Sequence, residues 1–350
     1  MPDFIERLAS AAFWAAGGFC AFLLLYMRVL SRLPSGPLKR AAAVAGLGGA
    51  PALFALAGAW TGLSAGLAVP AVFLLCWLAL DALALRDRRR HRAGGPVEVR
   101  RDRRRLSPFC TFDLQIPRYE IPSPVPVPRR FRIVHLSDLH LNDRSSERWC
   151  RRLVEDVEGL APDLLVATGD FSFSQTDSRR LEELLAAFRA RAGAFAVLGN
   201  HDYSVGPDAI AAQLVRAGWR LPGADAVAAE LPGGRRLWVA GYDFPWSREA
   251  RRPVAPADGE PLIVLTHTAD NASRLAEGGA FAVFAGHYHG GQIGLPGWGP
   301  IALPSRLGRR FPRGHFLFGK THLFVSAGLG VTFPPFRVGC PPDLPVVDLV

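Results

Sequence analysis

The chain has 350 residues, which is enough for one sizeable domain and a smaller region beside it. Its net charge of +10 would suit a nucleic acid partner, but the charge is unevenly distributed. Residues 1–105 contain 15 lysines and arginines against six acidic residues, whereas the remaining residues contain 26 against 25. Because the longer part is nearly neutral, it lacks the positive charge that binding to a phosphate backbone requires, and no nucleic acid partner is expected.

The first 85 residues are predicted to form a transmembrane region with three helices, at about 8–27, 41–60 and 65–85. Leu8–Met27 is an apolar run between Arg7 and Arg28, and residues 41–80 contain no charged side chain. As a helix, about 20 apolar residues cross the roughly 30 Å core of a bilayer. A cleaved signal peptide is the alternative for the first run, and a buried hairpin of a soluble protein is the alternative for the second.

The basic residues of this region predict its orientation. They lie between the first two predicted spans and after the third, in the run from Arg86 to Arg92. Because positive charge marks the cytoplasmic side, we expect a multi-pass protein of the cell membrane whose larger part is cytoplasmic. The arginine run could also contact anionic headgroups of membrane lipids, or it could be only the flank of the third span.

Residues 86–130 are predicted to be a basic, proline-rich linker, extended rather than helical, with an edge strand at about 112–121. Residues 131–350 have the pattern of an α/β domain, in which apolar runs first alternate with amphipathic helices and then follow one another. The predicted strands are at about 131–137, 164–168, 195–198, 236–240, 262–266, 281–285, 322–326 and 346–350.

Polar side chains follow five of these apolar runs. Asp138 and His140 come directly after the first, and an extended backbone sends residues two apart to the same side. The residues that follow or end the other four runs are Asp170; Asn200, His201 and Asp202; His267; and His287 and His289. Carboxylate, imidazole and amide oxygen groups are ligands for divalent metals. One polynuclear metal centre at the carboxyl edge of a sheet accounts for all five stretches.

The order of these residues resembles a known family. The blocks are Asp138-Leu139-His140, Gly169-Asp170, Gly199-Asn200-His201-Asp202, His267 and Gly286-His287-Tyr288-His289. D-x-H, G-D, G-N-H-D, a lone histidine and G-H-x-H, in that order, are the pattern of calcineurin-like metallophosphoesterases. With its apolar N-terminal region, the chain looks like the membrane-associated bacterial subgroup. The resemblance covers roughly residues 129–350 and implies a two-sheet β-sandwich flanked by helices.

The resemblance also implies a role for each site residue. Two divalent ions, such as Mn, Fe or Zn, would clamp a phosphoryl group and hold a hydroxide between them. One carboxylate, Asp170, would bridge the two ions, while His201 would protonate the leaving oxygen or bind a phosphate oxygen, and Asp202 would orient His201. The other ligands would be Asp138, His140 and His289 on the first ion, and Asn200, His267 and His287 on the second.

These residues predict a metal-dependent phosphoric ester hydrolase. We expect its substrate to be a phosphodiester presented at the membrane, of a lipid-linked or phospholipid type, because membrane attachment raises the effective concentration of such a substrate. The alternatives are a phosphomonoesterase or a nucleotide or protein phosphatase with a soluble substrate, and a non-catalytic membrane scaffold. An arginine-rich loop could meet an anionic substrate or a membrane surface, or be solvated; its arginines are Arg306, Arg309, Arg310 and Arg313.

Overall fold

The structure is a computed structural model. It describes residues 2–28, 37–66, 68–101, 108–141, 146–172, 178–247, 251–295, 298–301, 303–307 and 309–350. The chain divides into two compact units. We call Met1–Arg90 with Pro304–Arg310 the helical unit, and His91–Leu303 with Phe311–Val350 the sheet unit.

The helical unit is built from α1 (Pro2–Arg28), α2 (Pro37–Gly66) and most of α3 (Ala68–His91). The first two helices pack against each other, with the rings of Trp14 and Phe54 5.8 Å apart. Among the residues that the structure describes, no helix has a stretch long and apolar enough to cross a membrane. The prediction of three membrane spans is therefore not supported, and all three predicted ranges include side chains outside the described part.

The arginine-rich loop differs from its prediction. Its segment Pro304–Arg310 belongs to the helical unit, where Arg309 is buried and forms an ion pair of 3.0 Å with Asp81 of α3. Arg310 pairs with Asp87 at 3.1 Å. Arg309 is thus shielded from solvent and ligands, whereas the side chain of Arg310 stays 36% exposed beside Asp87.

The sheet unit contains two six-stranded sheets and a short two-stranded ribbon. The first sheet has the strand order β1-β2-β14-β3-β4-β5, and the second has the order β12-β13-β9-β8-β7-β6. The strands of the first sheet are β1 (Glu98–Arg101), β2 (Gln115–Ile121), β3 (Phe131–Leu136), β4 (Leu164–Ala167), β5 (Ala194–Ala196) and β14 (Val346–Leu349). Those of the second are β6 (Val227–Glu230), β7 (Arg236–Gly241), β8 (Leu262–Thr268), β9 (Ala282–Gly286), β12 (Gly314–Phe318) and β13 (Thr321–Val325), while β10 (Gly294–Leu295) and β11 (Gly299–Pro300) form the ribbon.

The sheets pack face to face because their strands are apolar on both sides. Ile133 of β3 and Leu165 of β4 illustrate the two faces: Ile133 packs with Val239 and Phe284 of the second sheet, and Leu165 packs under the helices. The helices of this unit are α4 (Glu147–Leu160), α5 (Ser178–Ala187), α6 (Asn200–Val205), α7 (Pro207–Arg216) and α8 (Ala272–Glu277). Two mixed sheets flanked by helices are the architecture that the sequence predicts.

Part of the predicted linker is folded into the first sheet. β2 is not an edge strand, because it pairs in parallel with β14 on one side and antiparallel with β1 on the other. The short edge strand β1 reads Glu-Val-Arg-Arg, which lacks the apolar alternation that predicts a strand. The sheet therefore begins well before residue 131.

Parallel pairing brings the site-bearing loops to one edge. β3, β4 and β5 are parallel to one another in the first sheet, and β7, β8 and β9 are parallel in the second. The carboxyl ends of parallel neighbours lie at the same edge of a sheet, so the residues that follow these strands converge.

Candidate metal centre

Most of the candidate ligands lie in tight turns after strands, whereas His267 lies within β8 and Asn200 begins α6. Five of them have a positive backbone φ: Asp138 (50°), His140 (44°), Asp170 (57°), His287 (72°) and His289 (50°). This conformation is uncommon for residues other than glycine, asparagine and aspartate, and strained residues of this kind concentrate at functional sites. The turns are so tight that a Cβ atom on Gly286 would overlap Ser137 and Asp138.

Three buried side chains form the first group of possible ligands. Nε2 of His289 lies 3.3 Å from Oδ1 of Asp138 and 3.0 Å from Nε2 of His140. Both Asp138 oxygens also accept a hydrogen bond from the backbone N–H of His287, at 3.2 and 3.0 Å. Asp138, His140 and His289 therefore face one small volume, and they are the residues predicted to hold the first ion.

The second group combines Asn200, which begins α6 after β5, with His267 of β8 and His287 after β9. Nε2 of His267 is 3.1 Å from Oδ1 of Asn200 and 3.1 Å from Nδ1 of His287. Asp170 lies between the two groups, since its Oδ2 is 3.3 Å from Nε2 of His267 and 3.5 Å from Nε2 of His140. All seven side chains that were predicted as ligands thus come together, with Asp170 in the position expected of a bridge.

Burial and mutual contact perturb the titration of these groups. Burial raises the pKa of Asp138, but His289 and His267 outweigh it and hold the pKa of Asp138 below its usual range. Burial also opposes ionisation of Asp170. Its neighbouring histidines, of which His267 has the largest effect, nevertheless hold the pKa of Asp170 well below the ordinary value. Burial lowers the pKa of His140 well below normal, whereas Asp170 raises that of His267 to about 9 against the effect of burial.

The donor set fits divalent metal ions. Ligands about 2.0–2.1 Å from one ion lie about 2.9–3.4 Å from each other. The nitrogen–nitrogen distances of 3.0 Å (His140 to His289) and 3.1 Å (His267 to His287) fall within that range. Asp138 and Asp170 are fully buried carboxylates whose ion-pair contacts, among the described residues, are to histidines. Positive charge from bound cations would stabilise them where burial alone would not.

The predicted proton donor is adjacent to both groups. The backbone N–H of His201 donates to Oδ1 of Asp170 at 2.8 Å, and its ring meets that of His140 edge-on, with centroids 4.8 Å apart. His201 is more exposed than the seven ligand candidates, which are all buried. Burial lowers the pKa of His201, which favours the neutral imidazole.

Asp202 makes contacts that the sequence does not reveal. Its carboxylate is fully buried and accepts hydrogen bonds from three backbone N–H groups, those of Gly199 (2.8 Å), Asp170 (2.7 Å) and Phe171 (2.9 Å). Burial and the nearby Asp170 raise the pKa of Asp202 to about 7. The side chain therefore fastens the turn after β4 to the start of α6, while an orienting contact with the His201 ring stays a prediction.

Two further residues at the site have no sequence motif. Arg337 is completely buried and donates to the carbonyl oxygen of His289 at 3.1 Å. The ring of Trp246 lies edge-on to two ligand candidates, with centroids 5.1 Å from His267 and 5.2 Å from His287. Only the isolation of Arg337 in an apolar stretch could have drawn attention to it, and no local signal marks Trp246.

Comparison with known proteins identifies the family. The sequence profile of the calcineurin-like phosphoesterase domain matches residues 131–291. An uncharacterised metallophosphoesterase of Bacillus subtilis, YkuE, is 30% identical over 63% of this chain and 79% of its own length. The chain belongs to the calcineurin-like phosphoesterase family. The resemblance predicted from the five motifs is confirmed, and the two-sheet architecture agrees with it.

Other relatives carry names that state an activity. The phosphodiesterase YaeI of Escherichia coli is 27% identical over 63% of this chain and 82% of its own length. LpxG of Chlamydia trachomatis, named a UDP-2,3-diacylglucosamine pyrophosphatase, is 28% identical over 61% of this chain and 82% of its own length. The protein is a metal-dependent phosphoester hydrolase of a family that uses two divalent ions, as its sequence predicts.

Proposed function

We propose that the protein hydrolyses a phosphodiester-type linkage in a lipid-linked substrate. The observation that carries the reaction type is the position of Asp170, whose Oδ2 contacts His140 of one ligand group and His267 of the other. When bound, two divalent ions would polarise the phosphoryl group and activate the attacking water. Two adjacent cation pockets suit an in-line displacement at phosphorus, in which one ion would stabilise the attacking oxygen and the other the leaving oxygen.

The residues of this chain then have distinct tasks. In this proposal Asp138, His140 and His289 hold one ion, and Asn200, His267 and His287 hold the other, with Asp170 shared. His201 lies beside Asp170 and His140, where it would bind a phosphate oxygen through its ring N–H or, in the protonated form that burial disfavours, give a proton to the leaving oxygen. Asp202 keeps the turn that carries Asp170 in place through three backbone hydrogen bonds.

The reaction type is tested with a chromogenic phosphodiester and the purified full-length protein. We expect hydrolysis in the presence of Mn²⁺, loss of activity with a chelator, and recovery when Mn²⁺ is returned. His201→Ala should lower kcat by about 10²–10⁴-fold while the metal content stays unchanged. Hydrolysis that persists in the metal-free protein would contradict the proposal. A faster rate on the matching monoester would instead favour the alternative of a phosphomonoesterase.

Membrane association is the second part of the proposal. Many large apolar side chains of α1, α2 and α3 are at least half exposed, and an apolar surface of this extent is unusual on a soluble monomer. They include Phe4, Ile5, Leu8, Val44, Leu47, Leu53, Leu56, Val72, Leu75 and Leu83. We expect the full-length protein to stay with the membrane fraction in alkaline carbonate and to be released by detergent. Recovery in the soluble fraction before any carbonate treatment would contradict membrane association.

The lipid-linked substrate is proposed on two grounds. One relative is named for the cleavage of a diacylated sugar nucleotide, and the helical unit supplies an apolar surface that would hold the enzyme near such a molecule. The test compares the rates of the full-length protein on a lipid phosphodiester in anionic vesicles and on a soluble phosphodiester. Equal kcat/KM values for both substrates would reject the lipid preference and leave the phosphoesterase activity intact.

A further inference from the structure

A row of buried polar side chains leads from the core of the sheet unit to the metal centre. It begins at His135 of β3, which is completely buried and meets the ring of Phe284 edge-on, with centroids 5.4 Å apart. It continues through Thr168 and Ser137, which are also buried, and ends at Asp138. We call His135, Thr168 and Ser137 the polar row. None of the three is a metal-ligand candidate, so their burial needs another explanation.

The contacts along the polar row are continuous. Nε2 of His135 lies 2.9 Å from Oγ1 of Thr168, and that hydroxyl donates to Oγ of Ser137 at 2.7 Å. The Ser137 hydroxyl in turn donates to Oδ2 of Asp138. The other oxygen of this carboxylate, Oδ1, lies 3.3 Å from Nε2 of His289. The polar row and the ligand histidine therefore contact different oxygens of one carboxylate.

The direction of each hydrogen bond follows from the number of protons that each group carries. A carboxylate that binds a metal ion only accepts hydrogen bonds, so the single hydroxyl proton of Ser137 is directed to Asp138. The Ser137 oxygen must then accept from Thr168, whose one hydroxyl proton is used in that bond. Because the Thr168 oxygen is left to accept, Nε2 of His135 must carry a hydrogen.

The surroundings of His135 agree with this assignment. Nδ1 of the ring is buried and has no hydrogen-bond partner among the residues that the structure describes. A hydrogen on Nδ1 would lack an acceptor there, whereas a hydrogen on Nε2 is bonded to Thr168. Burial lowers the pKa of His135 to about 3, so the ring is neutral at physiological pH and carries one N–H only. The tautomer with its hydrogen on Nε2 satisfies both observations.

Thr168 supports both ligand groups, but with different atoms. Its side chain acts on Asp138 through Ser137, whereas its backbone carbonyl oxygen accepts a hydrogen bond from Nδ1 of His267 at 2.6 Å. Valine is β-branched like threonine and has a methyl group in place of the hydroxyl. Thr168→Val therefore breaks the polar row and leaves the contact with His267 in place.

We propose that the polar row positions the Asp138 carboxylate for the first metal ion. With Oδ2 held by Ser137, the carboxylate keeps one orientation, and Oδ1 stays directed toward the ion that it shares with His289. His135 is thus a positioning residue, which acts on the metal site through two hydroxyl groups without contact to the ion. The inference rests on the metal centre of the proposed function and concerns its metal affinity, not its substrate.

Mn²⁺ titration of the metal-free, full-length protein tests the role of the hydroxyl groups. Thr168→Val and Ser137→Ala should each weaken one of the two Mn²⁺ sites by about 10–100-fold, as substitutions behind metal ligands do. Thr168→Ser restores the hydroxyl and should stay within about threefold of the wild type. Wild-type affinity at both sites in Thr168→Val would overturn the proposal.

The matched control is Thr321→Val. Thr321 is also buried, and its hydroxyl donates to the carbonyl oxygen of Ala280. It lies at the amino end of β13, which is parallel to β9, whereas His287 follows the carboxyl end of β9. Thr321→Val therefore loses a comparable buried hydrogen bond away from the metal centre, and it should bind both Mn²⁺ ions like the wild type.

A double variant shows which ion the polar row serves. Asp138→Asn weakens the site that the polar row supports, so adding Thr168→Val should change the affinity of the remaining Mn²⁺ site by less than about twofold. A further loss of about tenfold in the double variant would show that Thr168 acts through His267, and it would overturn the proposal.

The tautomer of His135 provides a spectroscopic test in the wild-type protein. Two-bond ¹H–¹⁵N spectra of the ¹⁵N-histidine-labelled, Zn²⁺-loaded protein distinguish the two ring nitrogens, and His135→Gln identifies the His135 signals by their loss. We expect the hydrogen on Nε2, and a hydrogen on Nδ1 would overturn the proposal. His135→Gln keeps an N–H donor and should bind Mn²⁺ more tightly than His135→Leu. Equal affinities would contradict a role for the His135 N–H.

These measurements need no substrate, which separates this inference from the proposed function. If the variants bound Mn²⁺ as expected but the wild type hydrolysed no phosphodiester, the proposed function would be refuted and the positioning role would stand. If the wild type were active but Thr168→Val bound both ions normally, only the positioning role would be refuted.

Discussion

The buried guanidinium of Arg337 holds the turn that presents His289. Its Nη1 donates to the His289 carbonyl oxygen at 3.1 Å, and Nη2 donates to the carbonyl oxygens of Ala327 (2.7 Å) and Gly330 (2.6 Å). The backbone N–H of Gly330 in turn donates to the Asp138 carbonyl at 2.7 Å. Burial lowers the pKa of Arg337 to about 10, so the side chain keeps its charge at neutral pH. One arginine thus ties together the turns that carry two candidate ligands of the same ion.

We predict that Arg337→Lys weakens metal binding more than it changes the reaction of the loaded enzyme. A lysine ammonium cannot reproduce the planar set of donors, and substitutions behind metal ligands typically cost about 10–100-fold in affinity. Each buried carbonyl that loses its donor costs about 1–3 kcal/mol, so the melting temperature should fall by at least about 5 °C. Calorimetric Mn²⁺ titration and thermal unfolding measure the two effects.

The matched control is Arg252→Lys, because Arg252 is exposed and pairs only loosely, at 3.4 Å, with Glu277. That variant should bind Mn²⁺ and unfold like the wild type, since an exposed ion pair contributes about 0–1 kcal/mol. A wild-type Mn²⁺ affinity in Arg337→Lys would show that Arg337 does not position His289.

The second prediction separates the roles of Asp202 and His201. Asp202→Ala leaves three buried backbone N–H groups without an acceptor, so the free energy of unfolding should fall by about 3 kcal/mol or more. His201→Ala removes a half-buried ring and should change stability by less than about 1 kcal/mol while it abolishes most of the activity. Urea unfolding and kcat are measured for both. If Asp202→Ala matches His201→Ala in stability as well as in activity, the orienting role predicted from the sequence is the better explanation.

The site was predictable from the sequence to the extent that its residues follow strands. The apolar run before Asp138 and His140 located these residues correctly, but the expected extended backbone is not what brings them together, because both have a positive φ in a turn after β3. Arg337 reaches His289 from 48 residues away. It was not predictable, because most of its hydrogen bonds are to backbone carbonyl oxygens, which every residue type has, and its side-chain contact with Nδ1 of His289, at 3.3 Å, depends on the fold.

The fold was predictable where burial leaves an apolar pattern. β4 and β9 are buried on both faces and read as continuous apolar runs. β1 was missed because pairing with β2, and not burial of its own side chains, holds it in the sheet. The loop with Arg309 was misjudged for a related reason: its partner Asp81 is 228 residues away, and a sequence pattern cannot report a pairing at that distance.

A third prediction concerns metal stoichiometry. Because Asp170 contacts both ligand groups, Asp170→Asn should reduce the metal content from about two ions per chain to less than about one, as expected when a shared ligand is lost. Asp138→Asn touches one group and should leave about one ion bound. Elemental analysis after dialysis measures the metal content of both variants.

Asp163→Asn serves as the control, since Asp163 is equally buried but pairs with Arg129 away from the site. An equal loss of metal in all three variants would contradict the bridging position of Asp170.

The last prediction is a pH dependence of stability that arises far from the metal centre. Asp348 of β14 is fully buried and accepts hydrogen bonds from Nε of Arg118 at 2.7 Å and from Nε of Arg132 at 2.8 Å. Burial alone would raise the pKa of Asp348, but the hydrogen bonds from Arg132 and Arg118 lower it below the ordinary value. A carboxylate with a lowered folded-state pKa stabilises the protein above its unfolded-state pKa of about 3.9, and this stabilisation is lost as the pH falls through the folded-state pKa.

We therefore expect Asp348→Asn to be less stable than the wild type by about 2–3 kcal/mol at pH 7, because the substitution removes the charge that binds Arg132 and Arg118, of which Arg118 keeps its pairs with Glu120 and Glu98. Because the unfolded-state pKa of aspartate is about 3.9, the difference in the free energy of unfolding should be constant between pH 5 and 7 and should shrink as the pH falls below about 4. Urea midpoints measured across this range test it, with Asp258→Asn as the control, since Asp258 pairs with Arg236 at the surface. Because a surface pair contributes little, the control should follow the wild type at every pH. If the difference between Asp348→Asn and the wild type persisted unchanged below pH 4, the shape of the Asp348 side chain and not its charge would hold β14 between its neighbours.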